Sequence, residues 1–346
     1  MPRRAIITGV NGQDGSYLAE LLLKKGYRIL GTLRRHPPAA SDRARIDPHS
    51  GIEIVDCDLT AKTAIEELLH RYQPDEIYNL AARASSSDLW THPIATGEVN
   101  ALAVVRFLDA IDRVDARIRF VQASSSEVFG NATEVPQTES TAFRPRNPYG
   151  VAKAFGHWMT SVYRERRRLF ACSCILYNHE SPRRGEEFVT RKISQGVAKI
   201  KLGLSTELRL GDLEARRDWG FAGDYVRALW LSLQQSTPGD YIVATGETHS
   251  VREFCHIAFS HVGLRYEDYV VQDNEYVREP ESGVLVGDST KANRILGWTP
   301  SVTFEGLVKM LVDEDLRSLS GKQDTQICSS KTVPITPTTG KDRSIR

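Results

Sequence analysis

The chain has 346 residues, 40% hydrophobic and 26% charged, with 45 Lys plus Arg against 44 Asp plus Glu and a formal net charge of +1. This is the composition of a globular protein with one large or two ordinary domains, and it excludes a disordered, collagen-like or coiled-coil chain. The balanced charge offers no footprint for nucleic acid or an acidic membrane, so any nucleotide recognition has to be local.

In chain order, short apolar runs at 5–8, 28–33, 52–55, 76–80, 118–122 and 173–177 read as buried strands. Between them, segments 16–25, 62–71, 96–112 and 149–166 carry apolar residues at helical spacing. Such alternation predicts an α/β fold with a doubly wound parallel (Rossmann) sheet. After Tyr177 the rhythm breaks. A polar, basic stretch at 178–184 leads to a helix at 187–201, a short strand at 208–210, a helix at 224–234 and a strand at 241–245. We expect a sheet domain over 1–177, also receiving about 220–248, and a smaller α/β lobe from 178–219 and 249–320. Residues 321–346, rich in Ser, Thr and Lys with little to bury, are expected to be a disordered tail.

The five cysteines, Cys57, Cys172, Cys174, Cys255 and Cys328, are scattered, and no second Cys or His cluster completes a zinc set. They read as small buried hydrophobes in a reducing compartment. The start of the chain lacks an uninterrupted signal core, and the longest apolar run, 170–177, is far short of the ~20 residues of a membrane helix. A soluble cytoplasmic protein is expected.

Gly9-Val10-Asn11-Gly12-Gln13-Asp14-Gly15 follows the first strand and opens the first helix. In that context a glycine triplet permits a tight turn and close backbone approach to a pyrophosphate, which the helix N-terminus then binds. The second strand ends at Leu33-Arg34-Arg35, where an NAD site would usually offer Asp or Glu; two arginines suit the 2′-phosphate of NADP instead. Asp58, next to Leu59 at the third strand's end, is either an acceptor for the adenine amino group or a helix N-cap.

Tyr149 and Lys153 stand four apart at the start of a helix, on one face. An ammonium beside a phenol is expected to lower its pKa from ~10 and make it a base for a hydroxyl as hydride leaves the same carbon. Ser124-Ser125-Ser126-Glu127 closes the fifth strand, whose C-terminal end faces the ligand crevice of such a sheet.

These residues resemble the extended short-chain dehydrogenase/reductases and, within them, the GDP-mannose 4,6-dehydratase family. The resemblance spans 2–320 and rests on TGVNGQDGSYLAE (8–20), QASSSEVFG (122–130), RPRNPYGVAK (144–153), NHESPRRGEEFVTRKI (178–193), ARRDWGFAGDYV (215–226) and ATGETHSVREF (244–254). It implies Tyr149 as the base at sugar O4 with Lys153 as its partner, Ser125 bonding O4, Glu127 as acid/base at C5 and the C6 hydroxyl, and Ser126 assisting. The implied reaction takes hydride from C4 to NADP, loses water across C5–C6 and returns the hydride to C6. Further implied cofactor contacts are Gln13, Asp14, Leu80, Ala81, Ala82, His179 and Arg184. Ser85, Asn178, Val189, Lys192, Arg217 and Arg278 are implied to hold the GDP-sugar. A cation cluster at Arg183, Arg184, Arg191 and Lys192 suits a diphosphate. In this family the loop after the second strand, here with Arg34, Arg35 and Arg43, reaches a neighbouring subunit, which implies a homo-oligomer, a dimer or a tetramer.

The stretch Arg83-Ala84-Ser85-Ser86-Ser87-Asp88 departs from the family, Ala95 replaces a family tyrosine, and 265–280 is short. A different GDP-sugar therefore stays open as substrate. An epimerase or 4-ketoreductase of the same fold also stays open, although Glu127 argues against it.

Overall fold

The computed structural model describes residues 1–33, 51–84, 90–273, 275 and 284–330, of which 322–330 by backbone alone. The first half builds β1 (Arg4–Thr8), α1 (Gln13–Lys24), β2 (Arg28–Leu33), β3 (Glu53–Asp56), α2 (Lys62–Tyr72) and β4 (Glu76–Asn79). It continues with α3 (Pro93–Gly97), a π turn (Glu98–Leu102), α4 (Ala103–Val114), β5 (Arg119–Ser125), α5 (Pro148–Arg167) and β6 (Ala171–Leu176). The second half comprises β7 (Asn178–Glu180), α6 (Val189–Lys201), β8 (Leu208–Leu210), β9 (Arg216–Arg217), β10 (Trp219–Phe221), α7 (Ala222–Ser232) and β11 (Asp240–Val243). β12 (His249–Ser250), α8 (Val251–His261), β13 (Val270–Gln272), α9 (Thr290–Leu296) and α10 (Phe304–Ser330) complete it.

Seven strands form one sheet in the order β11-β6-β5-β4-β1-β2-β3, with every pair parallel. The order reverses between β1 and β4, so a crevice opens at their C-terminal ends. Central strands are buried on both faces, which is why β6 reads Ala-Cys-Ser-Cys-Ile-Leu without alternation. One face of the sheet packs Leu18 and Leu22 of α1, Leu229 of α7, and Leu296 and Trp298 at the end of α9. The other packs Ile65 and Leu69 of α2 with Val104, Phe107 and Ile111 of α4. A separate cluster joins Ile193 and Val197 of α6, Phe254 of α8 and Leu307 to Val312 of α10. The expected strands and helices of the first half are all present within a few residues.

The segment expected as one helix at 96–112 is interrupted. Pro93 sits in the first turn of α3, and the backbone widens into the π turn before α4 resumes. In that turn the buried Asn100 side chain clamps the Arg83 backbone, accepting from its N–H at 2.9 Å and donating to its carbonyl at 3.0 Å. The C-terminal helix also runs ten residues past the expected end of the lobe at 320, because no proline interrupts it before Pro334. Trp298 leaves the lobe expected over 249–320 and packs on the sheet, its indole N–H donating to the Asp224 carbonyl at 2.7 Å.

Candidate active site

β1 delivers the chain into the glycine loop. Gly9 adopts a left-handed φ of +66°, and a Cβ there would stand 3.1 Å from the Ala81 backbone. At Gly15 a Cβ would come 2.3 Å from the Gly9 carbonyl oxygen, so only hydrogen fits where α1 meets β1. Gly12 precedes α1 and supplies no side-chain cap. The first-turn N–H groups therefore point outward at the crevice, a cradle suited to a pyrophosphate. Gln13 and Asp14 look the other way, to the segment after β6. Gln13 donates to the His179 carbonyl at 3.0 Å and accepts from Ser181 at 2.8 Å. Asp14 meets His179 Nε2 at 2.9 Å, while His179 Nδ1 lies 2.7 Å from the Tyr177 carbonyl. Both imidazole nitrogens face acceptors, an arrangement that favours the doubly protonated ring. Burial works against that charge, but Asp14 outweighs it and raises the His179 pKa. The Asp14 carboxyl is lowered in turn, the His179 charge overcoming its burial.

At the crevice floor a buried polar row links three strand ends. Thr8 accepts from the Leu80 and Ala81 N–H groups at 2.9 Å each and donates to Asn79 at 2.8 Å; Asn79 then donates to Gln122 at 2.7 Å. This row fixes Leu80–Ala82 at the end of β4. Beside it β5 ends at Ser125, whose hydroxyl accepts from the Glu127 N–H at 3.3 Å and starts a short 3-10 turn containing the buried Ser126. The neighbouring Ser124 hydroxyl is buried without a hydrogen-bond partner. Asn147 caps α5 by accepting from the Gly150 N–H at 2.7 Å, and its amide donates to Glu127 Oε2 at 2.8 Å. Pro148 fills the first turn of α5, where no N–H is needed. Tyr149 follows, and one turn on the buried Lys153 donates to the Ala123 carbonyl at 2.7 Å, 5.6 Å from the Tyr149 ring centroid.

The fold thus brings Ser125, Ser126, Glu127, Tyr149 and Lys153 together. One expectation about them is corrected. Burial pushes the Tyr149 phenol up to about 12; Ser125 and Arg184 pull it down, while Glu127 and Asp14 push it up. Lys153, itself pushed down by burial to about 8, lies against the ring and a carbonyl, and does not offset that burial. Asp14 and Arg184 lie close enough for their charges to act on the phenol.

Residues 6–311 match the family described as GDP-mannose 4,6 dehydratase. The chain belongs to that family. It is 49% identical to GDP-mannose 4,6 dehydratase 2 of Arabidopsis thaliana over 327 residues, 91% of this chain and 87% of that protein. It is 43% identical to the Homo sapiens GDP-mannose 4,6 dehydratase over 340 residues, 90% of this chain and 91% of that protein. Among solved structures, the Thermus thermophilus UDP-glucose 4-epimerase in complex with NAD superposes with a TM-score of 0.76 at 27% identity, covering 90% of this chain and 98% of that one.

Several residues in the segments that mark the dehydratase family turn out to hold the fold. Asp218 accepts from Thr245 N–H and hydroxyl and from Gly246 N–H, between 2.6 and 3.0 Å. Asp224 accepts from Ser301 N–H and hydroxyl at 2.7 and 2.6 Å, fastening α7 to the chain before α10. Two members of the expected cation cluster are spent on other partners. Arg191 is buried against Asp315 of α10, since positions 191 and 194 share the helix face turned to that partner. Arg183 lies 4.1 Å over the Tyr17 ring and pairs with Glu20. Arg184 remains toward the crevice, 3.5 Å over the Phe188 ring. Asn178 opens β7 beside Trp219, Val189 and Lys192 lie in the first turn of α6, and Arg217 pairs with His249. Asp58 does not cap α2, which Ala61 precedes; its carboxylate holds Thr60 N–H at 2.9 Å, and the adjacent Leu59 is buried under the sheet. Arg34, Arg35, Arg43, Ser85 and Arg278 lie outside the described residues. Asn147 and Asn100 were passed over in the sequence; the Asn-Pro pair before Tyr149 is the signal of a helix cap that would have drawn attention to the first.

Proposed function

We propose that the protein is an NADP-dependent lyase that dehydrates GDP-mannose to the GDP-4-keto-6-deoxy sugar. Membership of the dehydratase family supports the substrate. The observation that carries the chemistry is Glu127, held by Asn147 beside Ser125 and Tyr149 at the end of β5. The NAD of the epimerase neighbour supports a nicotinamide dinucleotide, and Arg34-Arg35 directly after β2 favours the 2′-phosphate of NADP. Gly9, Gly12, Gly15 and the α1 N-terminus fit its pyrophosphate, Asp58 and Leu59 its adenine side, and Leu80–Ala82, His179 and Arg184 the nicotinamide half. Asn178, Val189, Lys192 and Arg217 hold the GDP part.

When bound, the dinucleotide accepts hydride from C4 and returns it to C6. Tyr149 takes the O4 proton, and Ser125 shares the hydrogen bond to that oxygen. In the protein alone the phenol keeps its own proton, with Lys153 against its ring, so Tyr149 accepts the O4 proton only once bound substrate and cofactor have favoured the phenolate. With C4 a ketone, the C5 proton is acidic. Glu127 removes it and hands a proton to the C6 hydroxyl, which departs as water. C5 regains a proton, the one Tyr149 took from O4, and with the hydride back on C6 one water is lost and both Tyr149 and Glu127 end as they began. Mass spectrometry of GDP-mannose incubated with the protein and catalytic NADP⁺ tests this: the product should be lighter by one water, with no reduced cofactor accumulating. An isomer of unchanged mass would replace this reading with epimerisation.

The active form is a homo-oligomer. Val151, Phe155, Trp158 and Val162 make one exposed stripe along α5, continued by Ile94 and Leu102 on the neighbouring segment. A second copy presenting the same stripe would cover both by two-fold symmetry. Cys57, Cys172, Cys174 and Cys255 are free and buried, which supports a reducing, cytoplasmic location. Among the described residues no helix is long and apolar enough to cross a membrane.

A further inference from the structure

We propose that Asn147 is a positioning residue for proton transfer at C5, holding one oxygen of Glu127 and leaving the other to work; the assignment rests on the dehydratase reading above. The orientation of its amide is set by its own helix. Oδ1 accepts from the Gly150 N–H at 2.7 Å, so the NH2 end is the one that meets Glu127 Oε2, at 2.8 Å. An NH2 group only donates, so Oε2 accepts from it, and Oε1 is the oxygen the amide leaves free to take up a proton. The other end of Glu127 is fixed as well, its main-chain N–H donating to Ser125 Oγ at 3.3 Å. Ser125 in turn stands close enough to the Tyr149 phenol to favour its ionisation.

The two bonds of Asn147 join elements that the chain keeps twenty residues apart. One anchors in the first turn of α5, which carries Tyr149 and Lys153; the other holds the turn after β5, which carries Glu127. The reaction needs a proton moved at O4 and another at the adjacent C5 of the same bound sugar. A single amide therefore sets the spacing of the two groups that move them.

Capping alone does not call for asparagine here. Ser and Asp cap helices as well as Asn does. Serine is too short to reach Glu127 as well, and aspartate offers an oxygen where the carboxylate requires a donor. The two duties of the side chain are thus separable by substitution.

The test uses the full chain with GDP-mannose carrying protium or deuterium at C5, together with thermal melting. Asn147→Ser should melt close to the native protein, keep KM within about twofold and lose kcat by roughly 10- to 100-fold, as for a misplaced catalytic group. Its C5 deuterium effect on kcat should rise above the native value, because that transfer becomes limiting. Asn147→Asp, which also keeps the cap, should lose more activity with the same rise, and it carries the test if the serine variant unfolds. A native kcat in either variant overturns the assignment. So does a loss of kcat that tracks a lower melting temperature with no change in the isotope effect, since that is a purely structural role. If the native chain itself releases no water from GDP-mannose, the dehydratase reading has failed, and this assignment falls with it.

Discussion

Two effects oppose each other at Tyr149. Burial and the nearby Glu127 and Asp14 keep the phenol protonated in the protein alone, at about 12, while Ser125 and Arg184 favour its ionisation. Its proton is therefore mobile only with help from bound substrate and cofactor. Tyr149→Phe should abolish turnover, by on the order of 10²- to 10⁴-fold. Melting temperature and dinucleotide titration should be unchanged; persistence of turnover would move the base elsewhere. His179 makes a pH prediction. Its folded pKa is raised by Asp14 despite burial, so its stabilisation is complete below the unfolded value of ~6.5 and is lost as pH rises through the folded one. The depressed Asp14 acts oppositely, stabilising above ~3.9 and losing that as pH falls through its folded value. Asp14→Asn should thus lower the melting temperature most between about pH 4 and 6.5, with the gap closing as pH rises above that range. Melts across that range that differ by a constant amount would show that the charge pair is not the cause. The five catalytic candidates were legible because strand-end and four-residue spacing rules act locally. The ionisation of Tyr149 and the double bonding of His179 were not, since both depend on what the fold buries beside them.

The helices show where periodicity stops being informative. From sequence Arg191 reads as one of a cation cluster for a diphosphate, yet it faces inward to Asp315 with Ser194 sharing the carboxylate at 2.6 Å. This pair clamps α6 to α10 in the small lobe. Removing one partner leaves a buried charge unmatched, so Asp315→Asn should cost roughly 3–5 kcal/mol in denaturant melts. Replacing both, as Arg191→Met with Asp315→Leu, should recover most of that stability. Recovery failing entirely would mean that the pair specifies the packing. Likewise the π turn before α4 could not be read from apolar spacing, because it answers to a tertiary demand: Asn100 must reach the Arg83 backbone beside the crevice.

Across the whole molecule, the apolar stripe on α5 is the feature the single chain does not explain. Trp158 is 55% exposed and Ile94 83% exposed on a surface otherwise well supplied with charge. Trp158→Glu combined with Phe155→Glu should give a monomer by light scattering, with circular dichroism unchanged; an oligomer of native size would place the interface elsewhere. The doubly wound sheet, the glycine loop, the serine and glutamate at the end of β5, and the Tyr149–Lys153 pair all follow from patterns within a few residues, because strand burial, helix periodicity and turn chemistry are short-range effects. Only tertiary packing could decide which cations stay near the crevice, which aspartates of the family segments serve as fasteners, and that one asparagine joins the turn of Glu127 to the helix of Tyr149. Those outcomes depend on contacts between residues distant in the chain, whose energies are set by burial and by the partner each polar group finds once water is excluded.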